Sequence, residues 1–133
     1  MSNNFLRVLS FFSFPAGVFV FSYVISILFN AYAVYPWIDI PMHFLGGFAI
    51  AYTSYLFLRF FREKGYMEIN NKALFTLIIV SLVALIAVLW EFYESLMKYF
   101  FDTNMQPSLE DTILDLFMGL IGGVVGAWVF RKK

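Results

Sequence analysis

Long apolar runs dominate this chain and are separated by short polar connections. Four runs are long enough to cross a hydrocarbon core, which takes about 20 helical residues. They cover residues 5–33, 41–61, 72–101 and 108–130. The first is longer than the apolar region of a signal peptide, so we expect a retained helix. The pattern predicts an all-α integral membrane bundle of four transmembrane helices, forming a single domain over residues 1–133.

Composition agrees with this class and excludes several others. Of the 133 residues, 62% are hydrophobic and only 14% are charged. The formal net charge is zero and the basic residues form no stripe, so we expect no nucleic-acid partner; the lipid bilayer is the expected surrounding. Cysteine is absent, which excludes disulfides, thiol nucleophiles and zinc–thiolate sites.

The distribution of Lys and Arg predicts an orientation. Basic residues collect at the amino end, in the second connection and at the carboxyl end, as Arg7, then Arg59, Arg62, Lys64 and Lys72, then Arg131, Lys132 and Lys133. The first and third connections, residues 35–40 and 102–107, contain none. Cytoplasmic segments carry the excess of Lys and Arg. We therefore predict that both termini are cytoplasmic and that the protein is multi-pass in a bacterial or archaeal plasma membrane.

Ionisable residues interrupt the apolar runs as three pairs, all toward the predicted extracytoplasmic end: Asp39 with His43, Glu91 with Glu94, and Asp111 with Asp115. A charged side chain at a helix centre costs roughly 2.5 to 3.5 kcal/mol on insertion scales, so pairs at one level indicate a site. One imidazole with several carboxylates suits Mg, Mn or Ca, and Zn through the imidazole. We predict all six residues as metal ligands, and Glu91 and Asp115 also as catalytic groups.

Small residues continue each polar pair along its helix. In the last run they are glycines in overlapping GxxxG spacing, Gly119, Gly122, Gly123 and Gly126. Small residues let membrane helices approach closely. We expect these stripes to face inward beneath the polar pairs, and the glycine face is also the predicted surface for a homo-oligomer.

Some members of the pairs have simple structural interpretations. Asp39 precedes Pro41 as an N-cap would, and Asp111 lies three residues after Ser108 as in a capping box. Glu94 and Lys98 have the i, i+4 order of an ion pair. His43 alone is compatible with a packing role. Glu91 and Asp115 lie inside apolar stretches away from caps, so a site is the stronger interpretation for them.

The ordered motifs from Asp39 onward resemble those of VanZ-like membrane proteins. Asp39-Ile-Pro-Met-His43-Phe44 is similar to that family's Asp-x-x-x-His-Phe, Glu91-Phe-Tyr-Glu94 to its Glu-x-x-Gln, and the segment from Ser108 to Asp115 to its Ser-x-x-Asp-x-x-x-Asn. Glu94, Asp115 and Met105 depart from the pattern, the last where an Arg often stands. The more acidic version resembles the YjdF-like family, which similarly carries Trp-Glu in the third helix. The resemblance implies a small polytopic envelope protein.

These observations predict an acidic site at the extracytoplasmic face that binds a divalent cation or a polar headgroup. A lipid-linked envelope substrate is the expected target of a reaction there, by metal-assisted hydrolysis or transfer with one carboxylate as general base. Whether the protein is an enzyme stays open. Two alternatives are a proton or cation pathway and a non-enzymatic assembly partner that uses its glycine-rich helix.

Overall fold

The computed structural model describes residues 3–103 and 106–131. Met105 of the predicted motif, and Lys132 and Lys133 of the predicted basic carboxyl end, lie outside the described residues. The described residues form six α-helices and one short 3-10 helix, Pro36–Ile38. The α-helices are α1 Asn3–Ser10, α2 Ser13–Phe29, α3 Ala31–Val34, α4 Asp39–Glu63, α5 Lys72–Phe101 and α6 Leu109–Phe130.

The predicted all-α membrane architecture is confirmed. Three helical segments are long and apolar enough to span a membrane: Pro36–Glu63, Lys72–Phe101 and Leu109–Phe130. The helices α1 and α2 pass the same test only as a pair bent by 42°, which is the geometry of a broken span or a re-entrant loop. The described residues therefore contain three candidate spans, or four if the bent pair is one.

The prediction of one continuous helix over residues 5–33 is wrong at Phe11 and Phe12, which separate the end of α1 at Ser10 from the start of α2 at Ser13. Pro15 has no backbone N–H, so it cannot donate to the carbonyl of Phe11 four residues earlier. The Thr53 hydroxyl on α4 donates to that carbonyl instead, at 2.8 Å in a buried position. This hydrogen bond from the neighbouring span compensates for the bend between α1 and α2. A second interruption follows at Asn30, which ends α2 in the left-handed conformation with φ 49°.

The closest packing in the bundle joins α4 to α6. A Cβ atom added at Gly47 would collide with the backbone carbonyl of Gly119, and one at Gly122 would collide with the carbonyl of Phe44. The two backbones therefore touch directly along this seam. The same face continues through Gly123, which packs on Val83 of α5.

The expectation that the glycine stripe faces inward is therefore confirmed, since Gly119, Gly122, Gly123 and Gly126 are all buried. Their predicted use as a homo-oligomer surface needs correction. Within one chain, α4 and α5 already occupy the space that a second copy would need. The glycines serve the intramolecular seam.

The two ends of the bundle differ in character. A hydrophobic cluster lies toward the carboxyl ends of α4 and α6, built from Ala51, Tyr55, Leu58, Ile79, Val83, Ala127 and Phe130. At the opposite end the buried side chains include three carboxylates. The helix α5 is mostly exposed, with Leu77, Leu85 and Leu89 on its surface, as expected of a helix that faces lipid. The polar groups thus occupy one end of an otherwise apolar bundle.

Candidate functional site

Three helices bring the polar pairs together at one end of the bundle. His43 lies in the second turn of α4, Asp115 in the second turn of α6, and Glu91 and Glu94 near the carboxyl end of α5. Only 5% of Glu91, 5% of Glu94 and 2% of Asp115 is exposed. The expectation that Glu91 and Asp115 are buried is confirmed, and Glu94 is buried equally well.

His43 stands at the centre of the cluster. Its Nε2 lies 3.4 Å from Asp39 Oδ1 and 3.8 Å from Asp115 Oδ1. Its ring also groups with Glu91 and Glu94, and in each group of three the nearest ligand atoms lie within 4.8 Å of one another. One imidazole is therefore shared by two groups, Asp39–His43–Asp115 and His43–Glu91–Glu94. We call these five residues the acidic cluster.

Hydrogen bonds from neighbouring side chains fix the two carboxylates on α5. The Trp90 indole Nε1 donates to Glu94 Oε1 at 2.7 Å. The Gln106 amide Nε2 lies 3.4 Å from Glu91 Oε2 and donates to the Thr112 hydroxyl at 2.8 Å. Both carboxylates are therefore oriented by donors outside the acidic cluster, an arrangement typical of ligand-binding carboxylates.

Several buried carboxylate oxygens have no hydrogen-bond partner among the described residues. They are Glu94 Oε2 and Asp115 Oδ2 in the acidic cluster, and Asp111 Oδ2 beside it. A buried carboxylate oxygen without a partner costs at least the desolvation penalty of about 1 to 3 kcal/mol, and more for a charged group. Because Glu94 and Asp115 are more than nine-tenths buried, bulk water does not relieve this cost. These oxygens are available to coordinate a ligand.

Asp111 lies outside both groups of potential ligands, although it was predicted as one. It occupies the first turn of α6, one turn before Asp115, and is partly buried. The Ser108 side chain accepts a hydrogen bond from the backbone N–H of Asp111 at 3.2 Å, which is the Ser108 half of the predicted capping box. Asp111 sits at the rim of the acidic cluster.

Two of the simple structural interpretations do not hold. The helix α4 begins at Asp39 itself, its N-cap position is Ile38, and no side chain caps it. Lys98 does not pair with Glu94: its Nζ donates to the carbonyl oxygen of Gln106 at 2.6 Å and turns toward the α5–α6 connection. An N-cap therefore does not account for Asp39, and an ion pair with Lys98 does not account for Glu94.

Tyr32 in α3 lies outside the candidate spans and within electrostatic range of Asp39 and Glu94. The pKa of the Tyr32 hydroxyl is raised above its ordinary value, mainly by burial. The hydrogen bond with Ser22 lowers the pKa, and the nearby charges of Asp39 and Glu94 raise it. The Tyr32 and Ser22 hydroxyls hydrogen-bond directly, which ties α3 to α2. Tyr32 is therefore a neutral phenol at neutral pH, and a hydroxyl group borders the site.

Sequence patterns did not predict three residues that form hydrogen bonds at the cluster: Trp90 as a donor, Gln106 and Thr112. The Trp90–Glu94 spacing of i, i+4 on one helix face was a usable signal. Gln106 lies in the connection before α6, and no periodicity relates it to Glu91, fifteen residues earlier. Only the path of the connection brings the two together.

The fold and the acidic cluster define a small multi-pass membrane protein with a buried polar cluster among its described residues. The chain belongs to the DUF2238 family, described as a predicted membrane protein, whose match covers residues 4–132. No curated protein and no solved structure matches the chain.

Proposed function

We propose that this protein binds a divalent cation through the acidic cluster, with Asp111 at the rim. The observation that carries the proposal is the set of unpartnered, buried oxygens of Glu94 and Asp115 around the single imidazole of His43. Four carboxyl groups surround one imidazole and a fifth, that of Asp111, lies at the rim, so the imidazole alone cannot balance their charge. A bound cation neutralises them without protonation.

The spacing of the donor atoms supports this proposal. Ligands about 2.0 to 2.2 Å from a tetrahedral metal are about 3.3 to 3.6 Å apart. The His43–Asp39 distance of 3.4 Å falls in this range, and the His43–Asp115 distance of 3.8 Å is close to it. Glu91 and Glu94 approach from a third helix and complete the donor set. The imidazole favours Zn²⁺ or Mn²⁺, whereas an all-oxygen set would favour Mg²⁺ or Ca²⁺.

The location of the cluster favours a lipid-linked or headgroup substrate. The pairs lie one to three turns inside the ends of the spans, where polar headgroups meet the hydrocarbon. A divalent cation there supplies Lewis-acid polarisation of a phosphoryl or carbonyl oxygen. Glu91 and Asp115 are the proposed catalytic groups, and the Gln106 amide orients Glu91. The resemblance to VanZ-like and YjdF-like proteins supports an envelope role, and the positive-inside rule supports an extracytoplasmic site.

The seam beneath the site argues against a proton or cation pathway. Directly below His43 and Asp115, the backbones of α4 and α6 touch at Gly47 and Gly119. Backbone contact of this kind leaves no room for a chain of waters or side chains. The geometry therefore favours binding at one end of the bundle over transport through it.

Metal titration tests the proposal. We expect purified protein to bind Zn²⁺ or Mn²⁺ at one site in isothermal calorimetry, and Glu94→Gln combined with Asp115→Asn to weaken binding at least a hundredfold. These substitutions keep side-chain volume and remove the charges. Asp102→Asn is the matched control, since Asp102 lies exposed at the same end and in a left-handed conformation that Asn tolerates. Equal affinity in the double variant, or no heat with the wild type, would contradict the proposal.

A further inference from the structure

We propose a second binding site, for the phosphate group of an anionic phospholipid, at the end of the bundle opposite the acidic cluster. A cavity of about 190 Å³ opens there between the carboxyl ends of α4 and α6 and the amino end of α5. Four cationic residues line it: Arg59, Arg62, Lys72 and Arg131. No acidic residue contributes to its described lining. We call it the basic cavity.

The positive charge of the basic cavity is largely uncompensated. Arg59 shares Glu63 with Arg7, at 3.0 and 2.6 Å respectively. Within residues 3–103 and 106–131, Arg62, Lys72 and Arg131 form no ion pair. Three cations held around one cavity without a counter-charge repel one another, and an anion in their midst relieves that repulsion. The cavity therefore favours an anionic ligand.

The floor of the basic cavity indicates that the anion is attached to a lipid. Tyr55 and Phe130 are buried beneath it, with rings 5.8 Å apart, and Phe75 packs edge-on to Tyr55. Apart from the Tyr55 hydroxyl, this floor offers no hydrogen-bond donor to a small inorganic anion, whereas its rings pack well against the glycerol and upper acyl carbons of a phospholipid. The cavity also lies where three spans end, at headgroup level. Basic pockets between transmembrane helices at this level are known binding places for anionic headgroups.

The basic cavity is independent of the acidic cluster. Arg62 follows His43 by 19 residues on the same helix, which places the two about 28 Å apart at 1.5 Å per residue. The hydrophobic cluster around Ile79 and Val83 fills the space between them. A result at one site therefore does not decide the other.

Lipid binding by the purified protein tests this inference. In nonionic detergent, native mass spectrometry measures retention of dioleoyl phosphatidylglycerol beside dioleoyl phosphatidylcholine of the same chain length. We expect selective retention of the anionic lipid. Removal of one cation should weaken its binding about fivefold, so Arg62→Gln with Lys72→Gln should cost about 25-fold and Arg131→Gln about fivefold.

Lys64→Gln is the matched control, because Lys64 lies at the same end of the bundle with its Nζ 5.7 Å above the Phe60 ring and does not line the cavity. It should leave retention unchanged. The three substituted cavity residues, Arg62, Lys72 and Arg131, are exposed. We therefore expect every variant to keep the wild-type melting temperature. Equal loss in Lys64→Gln and Arg131→Gln, or equal retention of both lipids, would overturn the inference. Competition by glycerol phosphate at the affinity of the lipid would overturn the lipid assignment.

Discussion

His43 is the residue on which both halves of the acidic cluster depend. It contributes to the group with Asp39 and Asp115 and to the group with Glu91 and Glu94, so it joins α4 to both other spans of the site. A single imidazole cannot pair fully with all four carboxylates at once. The side chains that orient those carboxylates therefore affect how well the donor set converges on one point.

Trp90 is the clearest of these orienting residues. Its indole donates to Glu94 Oε1, and Glu94 Oε2 has no hydrogen-bond partner among the described residues. Trp90→Phe removes the N–H but keeps an aromatic ring against Phe19. Because the loss of such an orienting partner typically costs 10- to 100-fold in metal affinity, we expect a loss of about that size by calorimetry.

Trp37→Phe provides the comparison, since Trp37 is an exposed tryptophan at the same end whose ring packs against Tyr35 and no other aromatic ring of the described residues. It should bind metal as the wild type does. A Trp90→Phe protein with wild-type affinity would show that the indole N–H only satisfies Glu94 and has no influence on the site.

The sequence could predict the residues of the site that lie inside apolar runs. It could not predict those whose role depends on a hydrogen-bond partner brought near by the fold. An acid inside an apolar run has few structural explanations, and for this reason Glu91 and Asp115 could be chosen without a structure. Local rules misjudged Glu94, because the Lys98 side chain found carbonyl oxygens in the α5–α6 connection instead of the carboxylate one turn away. Gln106 depends on the path of that connection, which no short-range pattern encodes.

The ends of the helices could be predicted to within a few residues where the length of the apolar run determines them. The predicted spans 41–61 and 108–130 correspond to α4 and α6, and 72–101 coincides with α5. The break between α1 and α2 escaped prediction, although Pro15 signals a missing hydrogen bond. Whether such a loss bends a helix depends on a substitute donor. Here the donor is Thr53 on α4, which lies 42 residues after Phe11, the residue whose carbonyl it satisfies.

The seam between α4 and α6 predicts a sharp contrast between two neighbouring glycines. Gly47→Ala places a Cβ against the Gly119 carbonyl, and because backbone cannot yield as a side chain can, we expect a loss of about 1 to 3 kcal/mol in unfolding free energy. Gly46→Ala meets nothing within 4 Å and should not destabilise the protein. Thermal unfolding in detergent measures both. Equal melting temperatures would mean that the two helices are less tightly joined than the seam indicates.

The two ends of the bundle present opposite chemistry to the two sides of a membrane. One end holds buried carboxylates around His43, and the other holds a cavity lined by four cations. A hydrophobic cluster and a backbone-to-backbone seam separate them. This polarity gives the orientation of the protein a functional meaning, because a cation site and an anionic-lipid site would each face a different compartment.

The orientation itself can be tested with little background, since the chain has no cysteine. The positive-inside rule places the connection between α4 and α5 in the cytoplasm and the connection before α4 outside. We therefore expect Tyr35→Cys to react with a membrane-impermeant maleimide in intact cells, and Glu68→Cys to react only after the membrane is permeabilised. Both side chains are exposed, so accessibility within the fold does not bias the comparison. The reverse labelling would place the acidic cluster in the cytoplasm, and its substrate would then have to come from the cytoplasmic leaflet.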